Sequence, residues 1–222
     1  MNKPSFFFDT LYPFQDRILK TIRAIKTGFY LSGGTAASRG YLNHRFSDDL
    51  DLFVNDENSF ALWAERIIQA LEKADFGKIT VNQKEERFVR LSLTQTDLTL
   101  KIEMINDVPA RSGDITEHPL LGRLDSAENI LANKITALLG REEPKDLADI
   151  WGFCCKMDLS IKAAITGAQG KAAGVFPADL ARILCSVNHA DWQSVRWIDA
   201  PPVETYLAQL TTLGESLLLL SE

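Results

Sequence analysis

Cysteine is scarce in this sequence of 222 residues: Cys154 and Cys155 stand side by side and Cys185 stands alone. An odd count with one adjacent pair excludes a disulfide framework, because neighbouring cysteines rarely bond to each other. It predicts a reduced, cytoplasmic setting. Histidine is equally rare, with His44, His118 and His189 scattered and no Cys-x-x-Cys, which argues against structural zinc. No apolar run reaches about 18 residues, so no membrane-spanning helix is expected. The opening MNKPSFFFDT clusters three phenylalanines but turns acidic too soon for a signal peptide. Internal repeats and low-complexity tracts are also missing. The formal charge of −6 lacks the basic excess usual in a duplex-binding protein. An RNA partner would have to meet a local basic surface.

What is present suits a folded enzyme. The chain is 45% hydrophobic and 24% charged, enough to bury a core without covalent staples. Leu11, Phe14, Ile18, Ile22 and Ile25 recur at helical spacing and predict a helix over 9–27. Phe29–Ser32 reads as a short strand ending at Gly33-Gly34, followed by a short helix over 35–43. Asp49–Val54 alternates acidic and apolar residues, the pattern of a strand with one carboxylate face. A helix is expected over 59–74. The alternating stretches 88–93 and 98–105 predict a hairpin, with Asp97 in its turn. Two prolines and two glycines mark 106–124 as a loop. Beyond it the pattern turns helical, at 130–139, from Pro144 to about Met157, at 178–188 and at 203–220. The fold class expected is α+β: a mixed sheet with flanking helices over 1–110, then a helical half over 111–222.

The stretch YLSGGTAASRGYLNHRFSDDLDLFV carries the chemistry. Residues two apart on a strand share a face, so Asp49 and Asp51 present carboxylates about 7 Å apart at the backbone. Such a pair repels itself unless solvated or bridged by a cation. Mg²⁺ (or Mn²⁺) prefers carboxylate oxygens together with substrate phosphates. Gly33-Gly34-Thr35, at a strand-to-helix turn, lets backbone N–H groups approach a phosphate closely, and the Thr35 hydroxyl adds a donor.

This combination looks like the polymerase-β-type nucleotidyltransferase superfamily, which pairs a small-residue turn with Asp-x-Asp on the next strand. That resemblance implies a third carboxylate from a later strand, for which Glu103 is the candidate and Asp97 the rival. A second run, DSAENILANKITALLGREEPKDLADIW, narrows the likeness. With RFSDDLDLF before it, it resembles the AbiEii/AbiGii toxin family of nucleotidyltransferases over about 29–151. The residues carrying the resemblance are Gly33, Gly34, Thr35, Arg45, Ser47, Asp49, Asp51, Lys134, Arg141, Lys145, Asp146 and Asp149.

The resemblance implies a bacterial toxin or phage-defence enzyme that transfers a nucleotide from a nucleoside triphosphate (NTP), in characterised relatives to the 3′ end of tRNA. It assigns Mg²⁺ to Asp49 and Asp51, and triphosphate contacts to Ser47 and Lys134; the turn itself puts Gly33, Gly34 and Thr35 at the nucleotide, with Arg45 a further candidate. It also implies a possible cognate antitoxin and no membrane partner. Asp146 completes the site, either orienting Lys134 or taking a proton from the attacking hydroxyl.

Alternatives stay open at several positions. Arg45 suits a phosphate contact or a structural ion pair; Lys134 could snorkel from a helix edge; Asp146 and Asp149 could be favoured by a helix N-terminus alone. Asp48 points away from Asp49 and reads as solvated, and His44 as a capping or packing residue. Lys78–Arg90 suits either an RNA contact or a solvated strand face. Nucleotidylation of a protein or small molecule, a catalytically silent nucleotide-binding module, and a metal-dependent nuclease are the competing functions.

Overall fold

The computed structural model describes residues 3–96 and 98–218. Asp97 therefore lies outside the described residues, as do 219 and 220 of the last expected helix. Chain contacts divide the protein into two compact units, and neither is continuous in sequence. The first takes in Met1–Ala36, Ser47–Pro109 and Ile115–Asp125; the second takes in Ala37–Phe46, Ala110–Asp114 and Ser126–Glu222.

In the first unit, helical turns at Pro4–Phe6 and Phe7–Leu11 lead into α1 (Tyr12–Ala24), which has Pro13 in its first turn, where no N–H is needed. After β1 (Tyr30–Ser32) and a helical turn at Gly33–Thr35 come β2 (Leu50–Asn55) and α2 (Phe60–Lys73). Three longer strands follow: β3 (Lys78–Lys84), β4 (Phe88–Gln95) and β5 (Leu98–Asp107). The stretch 106–124, expected as loop, also holds β6 (Thr116–His118) and β7 (Gly122–Leu124). Strands of three residues are too short to show a period of two. Gly122 has φ +80°, and a Cβ there would strike the Arg23 side chain, which explains a glycine signal that looks like loop alone.

The seven strands form one sheet in the order β3-β4-β5-β2-β1-β7-β6. β2 runs antiparallel to β1 and parallel to β5, while β3, β4 and β5 form an antiparallel meander that includes the expected hairpin. Alternation separates the two faces. Leu50, Leu52, Val54, Val89, Leu91, Leu93, Leu100, Ile102 and Met104 are buried together, and the intervening residues are more open. Leu19 and Ile22 of α1 line a cavity of about 380 Å³ with Leu31 and Leu52, which sets α1 on the apolar face. The carboxylates lie on the other face, away from that cavity.

The second unit is helical: α3 (Ala127–Arg141), α4 (Pro144–Trp151), α5 (Ile161–Gln169), α6 (Pro177–Cys185), α7 (His189–Ser194) and α8 (Val203–Leu218). Ser126 caps α3 by accepting from the Asn129 amide. The helix does not stop at Gly140; it ends at Glu142, which takes the left-handed conformation usually left to glycine (φ 48°). Neither α5 nor α7 was expected. α7 has six residues but carries a full capping box between Asn188 and Asp191. The three cysteines are free. Burial pushes the Cys154 thiol up to about 12 and Cys155 up to about 11, so neither acts as a thiolate.

Candidate active site

The carboxylate face of the first unit is assembled by strand register. Asp51 lies level with Ser32 on one side and Glu103 on the other, and Glu103 lies level with Arg90. Asp49, one residue before β2, falls level with Lys101. Three acidic side chains from two strands thus share a face, as the period of two requires. Two cations stand among them. The Lys101 ammonium is 2.9 Å from Asp49 Oδ2 and 3.3 Å from Glu103 Oε1, and Arg90 Nε donates to the same Glu103 oxygen at 2.7 Å. Burial would lower the Lys101 pKa, but its hydrogen bond and charge interaction with Asp49, then those with Glu103, raise it.

Gly33 is fixed by this arrangement. Its φ is +66°, and a Cβ there would collide with the Asp51 carboxylate. No other residue type could sit at this turn without moving Asp51. Gly33, Gly34 and Thr35 are the first three residues of their helix, whose N–H groups have no partner within it. The Thr35 hydroxyl donates to the backbone oxygen of Asp49 at 2.5 Å and lies 3.1 Å from Ser47 Oγ. It braces the start of β2, so a phosphate would meet its amide rather than its hydroxyl.

The second unit holds the other predicted residues in a buried charge network. Lys134 Nζ is 2.8 Å from Asp146 Oδ1 and 2.7 Å from Asp149 Oδ2, and the residue is 6% exposed. Arg141 adds a second cation on Asp146. Arg45 grips Asp149 with two parallel bonds of 2.7 Å and donates to the Phe46 carbonyl. Of the two readings open for Arg45, these contacts are those of the ion pair. Asp146 and Asp149 are fully buried rather than surface charges, so a helix N-terminus alone does not account for them. Burial would raise the Asp149 carboxyl, but the Arg45 and Lys134 charges and the bonds from His44 and Arg45 hold it well below the usual range.

His44 Nε2 lies 2.9 Å from Asp149 Oδ1 with the ring fully buried, and Nδ1 has no hydrogen-bond partner among the described residues. Facing an ionised carboxylate, the neutral ring carries its proton on Nε2. Burial lowers the imidazole pKa, and the bond to Asp149 offsets this only in part. The unfolded chain then takes up a proton that the folded state refuses. Stability from this group is complete above about pH 6.5 and declines as the pH falls. Thermal midpoints measured from pH 7 to pH 5 should decrease, and the decrease should flatten in His44→Gln. An equal slope in both proteins would show that His44 is not its source.

The carboxylate row, with its flanking turn, supplies donors of the kind a divalent cation takes, and the Lys101 ammonium already marks a cation position between Asp49 and Glu103. Among the described residues, no three carboxylate, imidazole or thiolate side chains converge on one metal-sized point. Lys101 was missed from sequence, and Arg90 was read only within the Lys78–Arg90 stretch, not as a partner of Glu103. The signal for Lys101 was available, since it stands two residues before Glu103 on an alternating strand. Arg90 needed the register between β4 and β5.

The profile of the family described as "Nucleotidyl transferase AbiEii toxin, Type IV TA system" matches residues 17–169. Solved structures share the fold, two bacterial proteins among them. JHP933 from Helicobacter pylori is 20% identical with a TM-score of 0.61, over 98% of this chain and 93% of that one. The nucleotidyltransferase toxin MenT4 from Mycobacterium tuberculosis is 17% identical with a TM-score of 0.63, over 95% of this chain and 84% of that one. No curated protein sequence matches. No helix among the described residues is long and apolar enough to cross a membrane. The family profile covers most of the chain, including the glycine turn, the Asp-x-Asp strand and the Lys134 helix: the protein belongs to the AbiEii family of nucleotidyltransferase toxins.

Proposed function

We propose that this nucleotidyltransferase moves a nucleoside monophosphate from an NTP to the 3′ hydroxyl of an RNA, with tRNA as the acceptor class, in a Mg²⁺-dependent reaction. The observation that carries the reading is the row formed by Asp49, Asp51 and Glu103 on one face of β2 and β5. A divalent cation there would polarise the phosphoryl oxygens and offset charge on the departing pyrophosphate. Asp49 and Asp51 are assigned as its ligands together with phosphate oxygens, and Glu103 as a third that must turn toward them, since the three do not converge on one point among the described residues.

The remaining residues bind and orient. Gly33, Gly34 and Thr35 offer backbone N–H groups to phosphate oxygens, and Ser47 lies beside Thr35 to add a hydroxyl. Lys134 has three N–H donors, of which Asp146 and Asp149 occupy two; the third is assigned to a phosphate oxygen. Asp146, held by Lys134 and Arg141, is assigned to orienting Lys134. Arg45 holds Asp149, and through it Lys134, in place. Family membership supports an antitoxin as a further partner.

Incubation of the protein with α-labelled NTPs and total RNA tests this reading. Labelled RNA, lengthened by whole nucleotides and lost on adding EDTA, is the expected result. Label on a protein or small molecule would refute the RNA acceptor, and shortened RNA would point to a nuclease.

A further inference from the structure

The cation position on the carboxylate face is taken by the protein's own side chain. Lys101 Nζ bridges Asp49 and Glu103, one from the loop entering β2 and the other from β5. Its side chain is 38% exposed, beside an Asp49 side chain at 36%, so the pair is open enough to be exchanged. Arg90 differs, since it pairs with Glu103. Within this row Asp49, Asp51 and Glu103 outnumber Lys101 and Arg90 by one charge. A divalent cation entering at Asp49 meets an ammonium already there.

We propose that Lys101 is a resident counter-ion that competes with the divalent cation for Asp49 and Glu103, a proposal resting on the metal-site reading above. The protein without nucleotide then binds metal weakly, because gaining the cation means losing two contacts to Lys101. An NTP reverses the balance. Its triphosphate brings oxygen ligands for the cation and an anionic partner for the displaced ammonium. Metal and nucleotide are thereby taken up together, and Lys101 makes each depend on the other.

The test is Mn²⁺ binding to the full chain without nucleotide, followed by loss of the free-ion paramagnetic resonance signal. Lys101→Met should bind Mn²⁺ about tenfold more tightly than wild type. Arg90→Met removes the same charge but not the Asp49 contact, and should change the affinity by about threefold at most. Without metal, Lys101→Met should melt at a lower temperature, through repulsion within the acidic row, and should recover more than wild type on adding Mn²⁺. Equal affinities for wild type and Lys101→Met would overturn the proposal, as would an equal gain in both variants. If transfer still requires Asp51 in that case, the metal-site reading stands and only the role of Lys101 falls. If neither protein takes up Mn²⁺ with or without NTP, both fall.

Discussion

Asp149→Ala should lower the thermal midpoint by about 10 °C, a larger loss than any exposed substitution would give. Asp149 accepts from Arg45 through both carboxylate oxygens and also contacts Lys134 and His44, with no solvent exposure of its own. Removing it takes two parallel bonds from the buried Arg45 guanidinium and one of two carboxylates from the Lys134 ammonium. Breaking a buried pair from one side costs about 3–5 kcal/mol, against a typical domain stability of about 5–15 kcal/mol. At about 2–4 °C per kcal/mol for a chain of this size, the shift is readily read by circular dichroism. Arg45→Met combined with Asp149→Ala should cost less than the two single changes added together, because the two side chains share one pair of buried bonds. Additive losses would contradict the network. Acid should not mimic the substitution until well into the carboxylate range. The Asp149 pKa is depressed in the fold, so its contribution is present above about pH 3.9 and lost only as the pH falls through the folded value.

Asp51→Ala should reduce nucleotide transfer about a thousandfold while leaving the melting curve close to wild type. The carboxylate stands over Gly33 on the open face of the sheet, level with Glu103, and its removal opens no cavity in the apolar core. If Asp51 holds the proposed cation, its loss withdraws transition-state charge stabilisation of about 4 kcal/mol, and each 1.36 kcal/mol is a factor of about ten in rate. Asp48→Ala is the control. Its expected orientation is away from Asp49, and transfer should remain within about twofold of wild type. Transfer measured with labelled NTP at saturating Mg²⁺ decides the matter. Near-normal turnover in Asp51→Ala would remove the carboxylate face from the chemistry.

The parts of the fold legible in the sequence were those written in a period. α1, α2, the hairpin of β4 and β5, and the Asp-x-Asp strand all repeat over enough residues to declare themselves. β6 and β7 do not, and they are stabilised by pairing with residues distant in sequence. The division into units was equally hidden, because residues 37–46 and 115–125 take their contacts from elsewhere in the chain. At the candidate site, residue types identified Asp49, Asp51, Gly33 and Lys134 as the places to look. They did not disclose how fully the basic residues are already partnered. A sequence shows that Lys134 or Arg45 is positive; whether its donors face a ligand or a buried aspartate depends on packing between helices.

The ends of the sheet carry a different consequence. On one side it stops at β6, only three residues long. On the other it stops at β3, which is flanked by Lys78 and Lys84 and interrupted by a register shift between Val81 and Gln83. Unpaired strand edges invite further strands, and short length, lysine and bulges are the usual deterrents. Val81 is exposed on that edge, and the lysines at either end, Lys84 through its ion pair with Glu65, are of the kind that discourage fibre-like stacking of one chain on the next. Neutralising both should make the protein more prone to aggregate, read as turbidity on heating, with no effect on the carboxylate row.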